Sequence, residues 1–273
     1  MTAQPATRDS LDPRAYLERI AFAPTNSPGS PAPSLLAALH EAHLLAVPFE
    51  NLSIHYGQPI TLDEAALYDK IVRRRRGGFC YELNGLFAWL LRQLGFTVEL
   101  LSAEVAEDGG GFSPPFDHLT LRVRALAGED WLADVGFGDS FRRPLRLQPG
   151  LAQDGADGYT YRLRKAEEQP YWALERRDSA QTDAADAAWE PQYRFTLRPH
   201  ALSDFAPRCH YQQTSPQSHF TQRRICSLAL PDGRLSLSDL RLITTIHGQR
   251  EERTLRSEQE YRATLAERFG VTL

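Results

Sequence analysis

The sequence predicts an α+β protein: helices up to residue 95, short antiparallel strands through the middle, and a mixed α/β region from about residue 200. Three patterns carry this expectation. Before Gly95 the apolar residues recur at helical spacing, and after it they alternate in short runs separated by Gly, Pro and Asp. Beyond residue 200 both periods occur together.

Asp12-Pro13 reads as an N-cap and first-turn proline opening a helix through Tyr16, Leu17 and Ile20. Ser34 is the expected cap of a second helix carrying Leu35, Leu36, Leu39 and His43, which stops before Pro48. Thr61 or Asp63 is expected to start a third, through Leu67 and Ile71. The fourth begins near Cys80 and shows Leu83, Leu86, Phe87, Leu90, Leu91 and Leu94 on one face, with Gly95 as its stop. The expected strands are TVEL, HLTLRV, WLADV, YTYRLR, YWALER and YRFTL, whose spacing suits a small barrel or sandwich. ICSLAL, the turn Pro231-Asp232-Gly233 and RLSLSDLRLITTI read as a hairpin. Ser257 to Glu260 forms a capping-box pattern before a last helix ending at Gly270. The segments 106–115 and 176–188 are the expected flexible loops.

The composition excludes several classes of function. With 42% hydrophobic and 24% charged residues, the chain has the balance of a globular protein. A net charge of −4 supplies no broad basic surface for nucleic acid. No apolar run is long enough to span a membrane, and the start lacks the basic-then-apolar pattern of a signal peptide. Three cysteines (Cys80, Cys209 and Cys226) are an odd number without metal-site spacing, so reduced thiols, no metal and a cytoplasmic location are expected.

One of these cysteines stands apart. Cys80 follows Arg73–Arg76 and Gly77-Gly78 at a helix start, where unpaired amides favour a thiolate. The glycines permit a tight turn and close backbone approach to a ligand. The plainer reading is a small buried core residue, so a partner must decide. Pairing HLTLRV with WLADV around a loop centred on Leu126 sets Leu121 opposite Trp131, Leu119 opposite Ala133 and Arg122 opposite Asp130. The same register sets His118 opposite Asp134, roughly 5 Å apart at Cβ, within reach of a hydrogen bond. A slip by two would put Thr120 there instead. Thiol, imidazole and carboxylate together are the parts of a nucleophilic triad.

At these residues the sequence resembles the arylamine N-acetyltransferases. The matching segments are VPFENLSI (47–54), RRGGFCYELNGLF (75–87), HLTLRV (118–123), WLADVGFG (131–138) and SPQSHF (215–220), in the family's order. The resemblance implies a helical domain over 1–95, a β-barrel domain over 96–199 and an α/β lid over 200–273, around a cysteine-protease-like catalytic core. It implies a triad of Cys80, His118 and Asp134, which takes an acetyl group from acetyl-CoA and passes it to an aromatic amine, hydrazine or N-hydroxyarylamine. Phe137 and Phe220 match acceptor-pocket aromatics, while Gly136 and Gly138 match a loop near the donor's phosphates. Glu50 and Arg76 match an ion pair that supports the cysteine turn. No tightly bound cofactor and no nucleic-acid, membrane or protein partner is implied; acetyl-CoA and small aromatic amines are the partners.

Each residue also has a plainer reading: solvated charges for Glu50 and Arg76, core packing for Phe137 and Phe220. Cys209 and Cys226 match no catalytic position. The three triad residues alone suit a papain-like or transglutaminase-like hydrolase equally well, and a binding protein that kept the fold is a second alternative. Relatives that close amide bonds in macrolactam antibiotics share the same motifs.

Overall fold

A computed structural model, which describes residues 11–23, 30–124, 128–181 and 188–273, has the α+β architecture. It contains a nearly closed eight-stranded antiparallel barrel, a second antiparallel sheet of five strands, and helices packed against both. No helix among the described residues is long and apolar enough to cross a membrane.

The centre is the helix Cys80–Gln93, here called the cysteine helix. The apolar repeat anticipated one buried face, yet every residue from Cys80 to Leu91 is buried. Strands lie along one side and the other helices along the rest, so each large leucine or phenylalanine contributes on the order of 1.5–3 kcal/mol by leaving water. Gly95, at φ +88°, ends the helix as expected.

Around it, Asp12 caps Pro13–Arg19 by accepting from the Arg14 amide, and Asp63 caps Glu64–Tyr68 by accepting from Ala65 and Ala66. The second helix starts one residue before the expected Ser34: it runs Pro33–Ala46, with proline in the first turn and Ala32 at the cap position. Proline's preset φ and missing N–H suit that place without any side-chain cap. Asp69–Arg73 continues as a wider π-helical turn that puts Lys70 in the core.

The barrel order joins Thr97–Val105, His118–Arg124 and Asp130–Ala133 on one side to Glu190–His200, Tyr171–Asp178 and Tyr159–Lys165 on the other. Its two short edge strands meet through Gln153. The Gln153 side-chain oxygen accepts from the Arg146 amide at 2.8 Å, and its Nε2 donates to the Arg146 carbonyl at 3.1 Å. A side chain thus supplies the last rung of the closure.

The hairpin register differs from the expected one by two residues. Leu121 faces Ala133, Val123 faces Trp131 and Arg124 faces Asp130. Side-chain direction repeats every two residues, so the slip keeps every residue on its face. Arg122 still donates to Asp130 at 3.0 Å from Nε, across the diagonal. The turn residues around Leu126 lie outside the described residues, as do 182–187 of the second expected loop. The other expected loop folds back as a narrow hairpin, with Ala106 paired to Phe112.

In the second sheet, Ile225–Leu230 and Gly233–Ser238 form the expected hairpin, but RLSLSDLRLITTI turns back at Asp239-Leu240 into a further strand, Arg241–Ile246, and Gln249–Thr254 extends the sheet. Its other edge is Phe49–Glu50, from a part of the chain that had read as helical, pairing Glu50 with Cys226. The final helix, Glu258–Phe269, packs Tyr261, Leu265 and Phe269 on this sheet; Ser257 caps it and Gly270 ends it at φ +66°.

Candidate active site

The turn before Cys80 is shaped by contacts that only glycine permits. A Cβ on Gly77 would strike the Pro48 carbonyl oxygen and come within 2.9 Å of Glu50 Cγ; one on Gly78 would lie 2.7 Å from Glu82 Oε2. Phe49 bridges Gly78 in parallel, with the Glu50 amide donating to the Gly78 carbonyl at 2.8 Å. The close approach is therefore to the protein's own segment 48–50. The positive φ of the turn belongs to Arg75, at +52°. Glu82 Oε2 accepts from the Phe79 amide at 3.1 Å, filling one of the helix's unpaired donors and setting Cys80 as its first residue.

Four buried charges lock this turn. Arg76 Nη2 lies 2.9 Å from Glu50 Oε1, with 4% and 0% of their side chains exposed. Lys70 Nζ donates to Glu82 Oε1 at 2.7 Å and stands 3.9 Å from Glu50. Burial alone would raise the Glu50 carboxyl, but Lys70, Arg76 and the Leu52 amide hold it below its usual range. The Glu82 carboxyl goes up, because burial and the Glu50 charge exceed the help from Lys70. Asn51 acts nearby, donating to the Phe220 and Arg223 carbonyls at 2.9 and 2.8 Å and accepting from the Ile225 amide at 2.7 Å.

His118 donates from Nε2 to Asp134 Oδ2 at 2.6 Å, both side chains being buried. They meet despite the slipped register: Asp134 directly follows the strand Asp130–Ala133, and a residue diagonal to His118 is within reach. Asp134 is saturated: Tyr193 also donates to Oδ2 at 2.9 Å, while Asn84 and the Gly136 amide donate to Oδ1 at 2.9 and 3.0 Å. Burial would raise this carboxyl; the His118 charge and these hydrogen bonds outweigh it and hold the pKa below the usual value. The ionised acid fixes the proton on Nε2 and leaves Nδ1 of His118 as the nitrogen free to accept.

Behind Asp134 stands His40, fully buried. The Asp134 amide donates to its Nε2 at 3.0 Å, so the ring proton must be on Nδ1, which donates to the Arg142 carbonyl at 2.8 Å. Burial pushes the His40 pKa down to about 4, consistent with this neutral tautomer. Asn84, Tyr193 and His40 escaped the sequence reading. Asn84 alone left a trace there, as an amide four residues after Cys80, within the apolar repeat of that helix.

Cys80, His118, Gly136, Phe137 and Phe220 line one cavity of about 250 Å³, with Asp134 behind it. The packing and pocket readings of the two phenylalanines merge. Phe137 packs edge-on to His118 at 5.1 Å and Phe220 against Phe79 at 5.5 Å, and both still face the cavity. The two glycines part company. The Gly136 amide is committed to Asp134, and a Cβ there would meet Cys80 Cα at 2.8 Å. Gly138, at φ +90°, lies outside the cavity lining; its carbonyl accepts from Arg234. Glu50 and Arg76 sit beneath the turn, and Cys209 and Cys226 are buried free thiols.

The helix terminus does not by itself make Cys80 a thiolate. Burial pushes the thiol well above its ordinary range; a hydrogen bond with the Leu119 backbone opposes this, and the charges of Asp117 and Asp134 add to the rise. A buried neutral thiol, an imidazole with one free nitrogen and an anchored acid can perform acyl transfer, provided that the imidazole removes the thiol proton.

Comparison with known proteins agrees with this chemistry. The profile of a family described as N-acetyltransferase matches residues 34–273. A pineal-gland arylamine N-acetyltransferase isozyme of Gallus gallus is 35% identical over 281 residues, covering 96% of this chain and 95% of that protein. An arylamine N-acetyltransferase / N-hydroxyarylamine O-acetyltransferase of Salmonella typhimurium is 39% identical over 220 residues, covering 80% and 73%. The solved structure of a Salmonella typhimurium arylamine N-acetyltransferase superposes with a TM-score of 0.84 at 34% identity, covering 95% of this chain and 90% of the other. That of Mycobacterium marinum in complex with CoA gives 0.83 at 31% identity, covering 95% and 93%. The chain belongs to the arylamine N-acetyltransferase family.

Proposed function

We propose that this protein acetylates aromatic amines, hydrazines or N-hydroxyarylamines from acetyl-CoA through a thioester on Cys80. The observation that carries the proposal is the shared cavity: Cys80 and His118 line it beside aromatic walls, and Asp134 fixes the His118 tautomer from behind. The CoA complex of the Mycobacterium marinum relative supports acetyl-CoA as the donor.

His118 Nδ1 takes the Cys80 proton as sulfur attacks the acetyl carbonyl. The tetrahedral intermediate collapses, the bond to the CoA sulfur breaks, and the imidazolium returns the proton to that sulfur, releasing CoA-SH. The second half reverses the roles. The amine nitrogen attacks the Cys80 thioester, its proton passes through His118, and the carbon–sulfur bond breaks to leave the Cys80 thiol and the amide. One thioester replaces another, so the acyl group is held at little cost in free energy.

Intact mass spectrometry after mixing with acetyl-CoA alone should show one acetyl group, mapped to the peptide containing Cys80. Addition of an aromatic amine should remove it as the amide. Labelling at Cys209 or Cys226 instead, or release of acetate at the same rate without amine, refutes the proposal.

The raised thiol makes a second expectation. If His118 supplies the base, iodoacetamide should alkylate wild-type Cys80 at pH 7 about 10²-fold or more faster than it alkylates Cys80 in His118→Gln. In the variant only burial remains, and the rate should climb with pH into the alkaline range. Equal rates at pH 7 would exclude His118 as the base.

A further inference from the structure

Phe49, Phe137 and Phe220 line the cavity that holds Cys80, and among the described residues Asp117 is the one acidic residue of its lining. Asp117 directly precedes His118 and lines the same cavity as Cys80.

Its charge is only half engaged. Oδ1 accepts from Arg208 Nε at 2.6 Å and from Gln212 Nε2 at 2.5 Å. Oδ2 has no hydrogen-bond partner among the described residues, and 11% of the side chain stays exposed. Arg208 approaches from outside the lining, with its guanidinium 4.2 Å over the Tyr211 ring. Gln212 is buried and continues inward, accepting from Ser218 Oγ at 2.5 Å. Ser218 caps the short turn that carries His219 and Phe220. The chain Asp117–Gln212–Ser218 therefore ties the histidine strand to the opposite wall and holds the carboxylate in place.

Among the described residues, no Lys or Arg lines the cavity. Its other ionisable groups are Cys80, His118 and His219. Burial lowers the pKa of His219, which keeps that imidazole neutral at pH 7.

We propose that Asp117 sets acceptor choice: the site favours arylamines and hydrazines bearing a cationic or N–H-donating ring substituent, and discriminates against those bearing a carboxylate or sulfonate. The physical reason is a fixed negative charge with one free acceptor oxygen in a poorly hydrated, aromatic space. There a donor gains a charge-assisted hydrogen bond and an anion meets a like charge that Arg208, bound to the other oxygen, only partly offsets. This assignment rests on the acetyl-transfer reading and adds the substrate class to it.

The test starts from acetyl-enzyme prepared with acetyl-CoA and verified by intact mass, so failure to form it would overturn the acetyl-transfer reading itself. The acetyl-enzyme is then offered 4-aminobenzamidine, 4-aminobenzamide and 4-aminobenzoate, and second-order deacylation rates are compared between wild type and Asp117→Asn. Intrinsic amine reactivity and any general change at Cys80 cancel in the ratio of ratios. The benzamidine-to-benzoate preference should fall by about ten- to a hundredfold in Asp117→Asn, with the change for benzamide falling between those of the other two. Arg208→Gln should move the preference the other way, because it removes the cation that shares the Asp117 charge. A loss of fold would instead slow all three amines alike. Unchanged ratios in Asp117→Asn, or a shift in the same direction in both variants, would overturn the assignment.

Discussion

Asp134→Asn is expected to lower kcat by about 10⁴, the size of the loss when an equivalent acid becomes an amide in a Ser-His-Asp hydrolase. The hydrogen bonds around Asp134 show why the variant cannot adapt. All four of its partners donate: His118 and Tyr193 to Oδ2, Asn84 and the Gly136 amide to Oδ1. An asparagine has one oxygen, and Asn84 with the Gly136 amide claims it, because an NH₂ and a backbone N–H can only donate whereas the His118 imidazole and the Tyr193 hydroxyl can also accept. The NH₂ then faces His118 Nε2, which must become an acceptor. The ring proton moves to Nδ1, the nitrogen to which the proposed mechanism gives the Cys80 proton. Wild-type-like thermal unfolding at pH 7 combined with near-wild-type kcat would refute this account.

The same residue predicts a pH dependence. Its native carboxyl titrates below the unfolded value, so its contribution to stability is fully present above the ordinary carboxylate range. That contribution is lost as pH falls through the lowered value. The stability difference between wild type and Asp134→Asn should therefore shrink on acidification through that window, read from urea unfolding at a series of pH values. A constant difference would mean that charge plays no part.

Arg76→Gln is expected to destabilise the fold by about 3–5 kcal/mol, the range for removing one partner of a buried ion pair. The loss would leave Glu50 and Glu82, both buried, sharing the single ammonium of Lys70, which already lies 3.9 Å from Glu50. Glu82 is raised by burial and, further, by the Glu50 charge even with Arg76 present, so the variant should take up a proton within this cluster. Arg74→Gln is the control. Arg74 pairs with Asp69 at 2.9 Å, but about half of each side chain is exposed, and such a pair contributes about 0–1 kcal/mol. Both substitutions remove one positive charge, so net charge cannot separate them. Equal, small changes in Tm would show that the buried network is not holding the cysteine turn.

Local chemistry made much of this molecule legible in advance. Asp12 before Pro13, Asp63, Ser257 and the glycines at 95 and 270 act within a turn of their own position, so a cap or a stop is visible wherever it occurs. Apolar spacing likewise placed the cysteine helix and the central strands, because burial repeats with the period of the backbone. Periodicity could not resolve a slip by two, since both hairpin registers put the same residues on the same face. That invariance is also why His118 and Asp134 still met. The resemblance pointed to Glu50 and Arg76, but Lys70 and Glu82 became part of that cluster only through folding.

Sequence alone placed a thiol at a helix tip and an imidazole and an acid on two neighbouring strands. Tertiary structure decided their protonation. Asn84, Tyr193 and His40 reach Asp134 across 50, 59 and 94 residues, and Arg208 and Gln212 reach Asp117 across 91 and 95. No periodicity spans such separations, because these contacts exist only once helix, barrel and second sheet have closed on one another. Closure removes the water that would otherwise screen these groups, and so holds the Asp134 carboxyl below its usual range, lowers the His40 imidazole and raises the Cys80 thiol.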